Sequence, residues 1–200
     1  IDNSFIDWTN EYDPTPDIVT GFSFGGLTIT GNHFTSHGAA SWFRWISIKP
    51  HGTGHFINGL NISGNVFKAI SGPQLERVDV VDTSIAPMIP TKYRNITVQG
   101  NTFNNVIATF MNPVTVKIGR TSVSSSWRTD MADFLPFEAE ARHVVALVPD
   151  GQIRNSGNTG IYTQPYGEGS TGADGKSVDV KWSTSVKGDV RMTVRCDDTI

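Results

Sequence analysis

The sequence predicts an all-β chain: short parallel strands stacked as a solenoid, then a small antiparallel β module. Three observations carry that prediction. The pattern Asn-x-Phe occurs at Asn3-Ser4-Phe5, Asn32-His33-Phe34, Asn65-Val66-Phe67 and Asn101-Thr102-Phe103. The six residues ahead of the last three copies align without a gap as Gly26–Gly31, Gly59–Gly64 and Asn95–Gly100. After about Arg120 the pattern stops, and alternating segments of a different kind follow.

Apolar residues stand five and three places before each of those three asparagines, glycine one place before and phenylalanine two places after. That is the period of a strand. The asparagines lie 29, 33 and 36 residues apart, the kind of interval that marks a repeat architecture. A strand of five or six residues cannot bury its apolar face alone, but copies stacked roughly 4.8 Å apart share one core. Leu27, Leu60 and Ile96 are expected to form one row and Ile29, Ile62 and Val98 the next, with the phenylalanines returning inward as a third. Glycine permits the tight bend, and the asparagine tolerates left-handed geometry while its amide joins neighbouring copies in a ladder. In the first copy Ile1 falls two places before Asn3 instead of three, so that edge is imperfectly matched.

On these residues the chain resembles right-handed parallel β-helix proteins of the pectate-lyase-like kind. The resemblance covers roughly residues 1–125, about three to four coils, and within it the order of elements is most similar to the C-terminal part of phage tailspike and depolymerase spikes. It implies residues 1–125 as β-helix coils and 126–200 as a β-rich capping and oligomerisation module. It also implies a homotrimer, a polysaccharide as partner, and an extracellular or virion-surface location. Because the chain opens on what reads as the end of a coil, further coils are expected before residue 1. Many functions share this architecture, so the fold does not select among them.

Longer excursions lie between the aligned strands: residues 7–17, then 36–55 with the stretch Ser41–Lys49, then a third with Leu75–Asp82 and the Pro-rich turn 87–90. Val114, Val116 and Ile118 alternate and are expected to close the last coil. Thr121–Thr129, rich in Ser and Thr, suits a linker or capping loop. Met131–Arg142 is the best helix candidate, with Pro136 arguing against a long one. Strands are expected at 141–148, 160–163, 178–183 and 189–195. The last two read as a hairpin with one wet face, turning over Thr184–Gly188, while Gly167–Gly175 reads as a flexible loop.

A formal charge of −3 over 200 residues, 18% of them charged, gives no broad basic field and argues against nucleic acid. Residues 130–200 hold eleven acids and seven bases, so the acidic character belongs to the terminal module. No apolar run approaches a membrane span, and no signal peptide is visible. The single cysteine, Cys196, falls in an alternating strand and reads as a small buried side chain. Of the histidines, His51 and His55 are four apart, but the glycines between them exclude a helix that would aim both at one ion. His33 is expected to point outward. No metal and no cofactor is expected.

A glycosidase needs two carboxylates at a defined separation. Glu11, Asp13 and Asp17 are available in the first excursion, and Glu76, Asp79 and Asp82 in the third; the last three are the catalytic candidates. Asp79 shares a strand face with Val81, and Asp82 lies opposite. Arg77 is the nearest approach to the base of a lyase. Sugar binding suits the aromatic excursions, because pyranose C–H faces stack on Trp and Tyr while polar side chains take the hydroxyls. Trp8, Tyr12, Trp42, Arg44 and Trp45 are the candidates, although alternation places Phe43 and Trp45 opposite Trp42 and Arg44, so one aromatic pair is expected in the core. The functional expectation is a spike fragment that binds cell-surface polysaccharide. The alternatives are a polysaccharide hydrolase or lyase, and a structural adhesin or stalk.

Overall fold

The computed structural model describes residues 23–50 and 52–199, so the first Asn-x-Phe copy, Trp8, Glu11, Tyr12, Asp13, Asp17 and His51 lie outside the described residues. The first described repeat supplies β1 (Ser23–Phe24), β2 (Leu27–Thr30), β3 (His33–His37) and β4 (Ile46–Ile48). The second supplies β5 (Phe56–Ser63), β6 (Val66–Ile70), β7 (Leu75–Arg77) and β8 (Asp79–Val81). The third supplies β9 (Arg94–Gln99), β10 (Thr102–Asn104) and β11 (Val106–Ala108). Equivalent strands pair in parallel: β1 and β2 with β5, β5 with β9, β3 with β6 with β10, β4 with β8, and β7 with β11.

The register is the one the repeat predicts. Leu27 pairs with Leu60 and Leu60 with Ile96, while Ile29, Ile62 and Val98 form the next row. Past the bend, Phe34, Phe67 and Phe103 stack face to face, with centroids 4.8 Å and 5.7 Å apart and ring planes within 6° and 9° of parallel. Trp45 and Phe110 pack against Phe67 from other directions, which makes Phe67 the centre of the core of the stack. At the bend, each asparagine hands its hydrogen bonds to the next copy. The Asn32 N–H donates to Asn65 Oδ1 at 2.9 Å, and the Asn65 N–H donates to Asn101 Oδ1 at 2.9 Å. The Asn65 and Asn101 amides donate back to the carbonyls of Ile29 and Ile62, each at 2.9 Å. The left-handed residue is the glycine, with φ of 69°, 65° and 65° at Gly31, Gly64 and Gly100. The asparagine itself is not left-handed: with the glycine taking the turn, its amide is aimed along the stack.

A stack of parallel strands ends in a row of unpaired backbone groups, and here Asn112 and Asp197, from two separate parts of the chain, cover them. Asn112 pairs with Val98 through both backbone groups, and its side-chain amide donates to the Ile96 carbonyl at 2.7 Å. Asp197, fully buried, accepts from the Ile96 N–H at 2.7 Å and from the Asn112 amide at 2.6 Å. Arg195 balances its charge at 3.0 Å. The Cys196 N–H completes the set on Asn112 Oδ1, and the Cys196 thiol is buried, as alternation predicts.

The remainder is an antiparallel sheet of β12 (Val114–Asp130), β13 (His143–Pro149), β14 (Tyr166–Thr171) and β15 (Ser177–Arg195). β15 is central, with β12 along one side and β13 and β14 in succession along the other. Five expectations are corrected here. Val114–Ile118 does not close a coil but begins β12, and Thr121–Thr129 is strand, bulged against β15 at Arg120–Ser126. The hairpin over Thr184–Gly188 is one continuous strand, because Val178–Trp182 and Val190–Val194 alternate in phase with Val186 and bury one face together. Gly167–Thr171 is strand, and only the residues after it turn. Met131–Arg142 holds a single 3-10 turn, Pro136–Glu138, with Phe137 at φ 52°.

That connecting segment plugs the core with Met131, Leu135 and Phe137, and the parallel stack grips it. Arg77 donates to the carbonyls of Ala132 at 2.6 Å and Leu135 at 2.8 Å, while buried Asp79 pairs with Arg77 at 3.1 Å and accepts the Phe137 N–H.

Two outcomes follow. Asn65→Ala strands the Asn32 N–H and the Ile29 carbonyl, and is expected to cost about 3 kcal/mol in chemical denaturation, with Asn32→Ala costing less. Asp197→Ala is expected to remove hydrogen-exchange protection at the Ile96 amide and to cost roughly 3–5 kcal/mol, because Arg195 is left without its partner.

Candidate functional site

The outward surface of the stack around β7 collects the candidate residues. Leu75 points into the core, so alternation turns Glu76 outward. The Glu76 N–H donates to the Ser41 carbonyl at 3.0 Å, which fixes the 41–45 segment beside β7. On the other side β11 pairs Val106 with Leu75 and Ala108 with Arg77, so exposed Ile107 shares the outward face with Glu76.

Within the 41–45 segment the side chains divide as alternation predicts. Phe43 and Trp45 pack edge to face at 5.7 Å and join the core. Trp42 faces solvent, 73% exposed. Arg44 is largely covered, its Nη1 donating to the carbonyls of Ser41 at 3.0 Å and Phe43 at 3.1 Å. Its Nη2 meets Glu76 Oε2 at 2.6 Å, and the Ser41 hydroxyl holds Glu76 Oε1 at 3.2 Å. A residue from the sugar-binding candidates and one from the catalytic candidates thus form a single cluster. Arg44 and Glu76 are 32 residues apart and Ser41 and Glu76 are 35 apart, close to the repeat interval. That spacing is the signal that places them together, and it is visible only when successive excursions are compared with one another.

The hydrogen bond from Arg44, and then that from Ser41, holds the Glu76 carboxyl below the usual carboxylate range. Asp82 is held lower still, to about 2, first by the Ser84 hydroxyl and then by Lys49 at 3.0 Å. Both are therefore carboxylates at neutral pH, equipped to accept hydrogen bonds and not to deliver a proton. Asp79 lies buried beneath the connecting segment, committed to Arg77 and the Phe137 N–H. Glu76, Asp79 and Asp82 thus occupy three separate settings: an outward cluster, a buried clamp and an exposed turn.

Trp8 and Tyr12 lie outside the described residues. His33 and His37 are exposed on β3, whereas His55 is buried with its ring 5.6 Å from that of Phe24. Among the described residues no three His, Cys, Asp or Glu side chains converge as a metal site, and no helix is long and apolar enough to cross a membrane.

Comparison with protein-family models, with curated proteins and with solved structures finds no match for this chain.

The carboxylates set a pH signature. Asp82 has a folded value depressed from 3.8 to about 2, so its bond to Lys49 is intact above 3.8 and is lost only as pH falls through about 2. An NMR titration is expected to show that midpoint. Lys49→Ala is expected to raise it only part of the way to the ordinary value, because the bonds from Ser84 remain. Glu76 follows the same sign, its contact with Arg44 surviving below its ordinary value of 4.5.

Proposed function

We propose that this chain is a segment of a right-handed parallel β-helix spike that binds polysaccharide at a cell surface, and that it works as a homotrimer at the outside of a virion or cell. The observation that carries the reading is the outward cluster. Trp42 offers an exposed aromatic ring, and its chain neighbours Ser41 and Arg44 hold the half-exposed Glu76 carboxylate, so an aromatic platform and a fixed acceptor stand on the same segment of the stack. That combination suits a pyranose ring, which presents an apolar C–H face and a rim of hydroxyls. The parallel stack behind it supplies rigidity, so little ordering entropy is lost on binding.

Binding is favoured over hydrolysis at these residues because neither Glu76 nor Asp82 holds a proton at neutral pH and Asp79 is covered. Self-association draws support from exposed Val145 and Val148 on β13, apolar side chains on the terminal module.

The test is retention of the chain on an array of bacterial capsular and O-antigen polysaccharides, with reducing ends and unsaturated products assayed in the same wells. Retention without product is expected, together with a loss of about tenfold in affinity for Trp42→Ala. Release of product would replace binding with catalysis. Light scattering is expected to give three times the chain mass, and a monomer would remove the trimer from the proposal.

A further inference from the structure

Far along the chain from Trp42, one more aromatic side chain is displayed on a braced support. After β13 the backbone keeps following β15: the Asp150 N–H donates to the Asp189 carbonyl, and Arg154 exchanges both backbone bonds with Lys187 at 2.8 and 2.9 Å. It then reverses through a turn closed by the Asn155 N–H on the Thr159 carbonyl at 3.0 Å, with Asn158 left-handed at φ 64°. Asn155 Oδ1 accepts the Thr159 N–H, and Arg154 Nη1 donates to the Asn158 carbonyl at 2.7 Å. The return limb pairs through the Ile161 N–H on the Ile153 carbonyl, and Ile153 anchors the hairpin in the core. Tyr162 follows immediately and is 88% exposed, the most exposed of the large hydrophobic and aromatic side chains among the described residues.

The Tyr162 hydroxyl lies 3.4 Å from Gln152 Nε2, across Gly160. A Cβ at Gly160 would stand 2.3 Å from Gln152 Nε2 and 3.0 Å from the Tyr162 hydroxyl, so the glycine is what lets amide and phenol close over the backbone. The surroundings name the ligand chemistry. Between Gln152 and Gln164 the only charged side chain is Arg154, whose guanidinium is engaged in the hairpin, and Ile153 and Ile161 are turned to the core side. What residues 152–164 turn outward is one aromatic ring among neutral amides and hydroxyls, with Lys187 of β15 at the edge beside Arg154. A nucleic acid would need a row of free cations and not one lysine at the edge, and a protein interface would need a contiguous apolar centre. A neutral sugar needs what is present here: a ring to stack on and an amide beside it.

We propose that the 152–162 hairpin is a second saccharide-binding element, with Tyr162 as the stacking platform and Gln152 as the hydroxyl-binding amide, selective for neutral pyranoses. The inference rests on the polysaccharide reading above, to which it adds a second contact point on the terminal module. Two weak sites on one rigid chain give an avidity that neither has alone.

The experiment uses the full chain and the polysaccharide that the array retains, with Trp42→Ala, Tyr162→Ala, Tyr162→Phe and Gly160→Ala compared by equilibrium binding, and tyrosine ring NMR signals followed during addition of maltose, cellobiose or lactose. Tyr162→Ala is expected to weaken polysaccharide binding roughly two- to tenfold. Tyr162→Phe is expected to keep most of it, and Gly160→Ala to weaken it while the fold stays intact, because only flexible side-chain ends must move. The Tyr162 signal is expected to shift with at least one disaccharide. Polysaccharide binding that falls in Trp42→Ala but is unchanged in Tyr162→Ala and Gly160→Ala would overturn this inference and leave the first site standing. A change of solution mass in Tyr162→Ala with saccharide binding unchanged would overturn it in favour of a contact between chains. Failure of the unaltered chain to hold any polysaccharide would overturn both readings.

Discussion

The edge of the last parallel strand is the constraint on which the rest of the structure depends. Each repeat satisfies its neighbour's backbone, so β9 would be left with free N–H and C=O groups on its far side. Asn112, Asp197 and the residues around them occupy that row, and they come from the two ends of the antiparallel sheet. Asn112 precedes β12 by two residues, and Asp197 follows β15 by two. The sheet is thus pinned to the stack at the start of its first strand and just beyond the end of its last. The buried carboxylate at that point is neutralised by Arg195 and fully hydrogen-bonded, the condition under which burial of a charge is tolerated.

A second attachment repeats the logic on another face. Arg77 and Asp79 resemble catalytic apparatus when read along the chain, as a cation beside an acid on an exposed-looking strand. In the fold they grip the carbonyls of Ala132 and Leu135 and the N–H of Phe137, closing the core with the aromatic rings of Phe110 and Phe137. Arg77 and Asp79 face a connecting segment and hold its backbone; Glu76, half-exposed at the surface, is held by the side chains of Arg44 and Ser41. The division between buried clamp and surface pair is therefore made by what crosses over each acid, and not by residue type.

That division explains what the sequence discloses. The three rows of the stack, the phenylalanine column and the asparagine ladder are legible because equivalent residues recur at equivalent places, so alignment of the chain with itself is already a contact map. The inward placement of Phe43 and Trp45 follows from alternation alone. β15 is not legible as one strand, because an alternating segment of 19 residues and two strands of a hairpin carry the same pattern, and only pairing along the whole of β12 distinguishes them. The Asp79 clamp and the Asp197 edge cover are not legible either, since their partners stand 58 and 101 residues away with no periodicity linking them.

The 101-residue separation between Ile96 and Asp197 has a consequence for how the chain is made. During synthesis the repeats emerge first and can stack at once, since their partners are about 35 residues apart, and Asn112 follows soon after, but the Ile96 N–H then waits for Asp197 before its part of the β9 edge is covered. At 5–20 residues per second that interval lasts roughly 5 to 20 seconds. Throughout it part of the β9 edge stays uncovered, and contacts of high sequence separation are slow to form while exposed edges recruit other strands. A chain in that interval is open to pairing with any strand it meets, and the arrival of Asp197 ends the exposure.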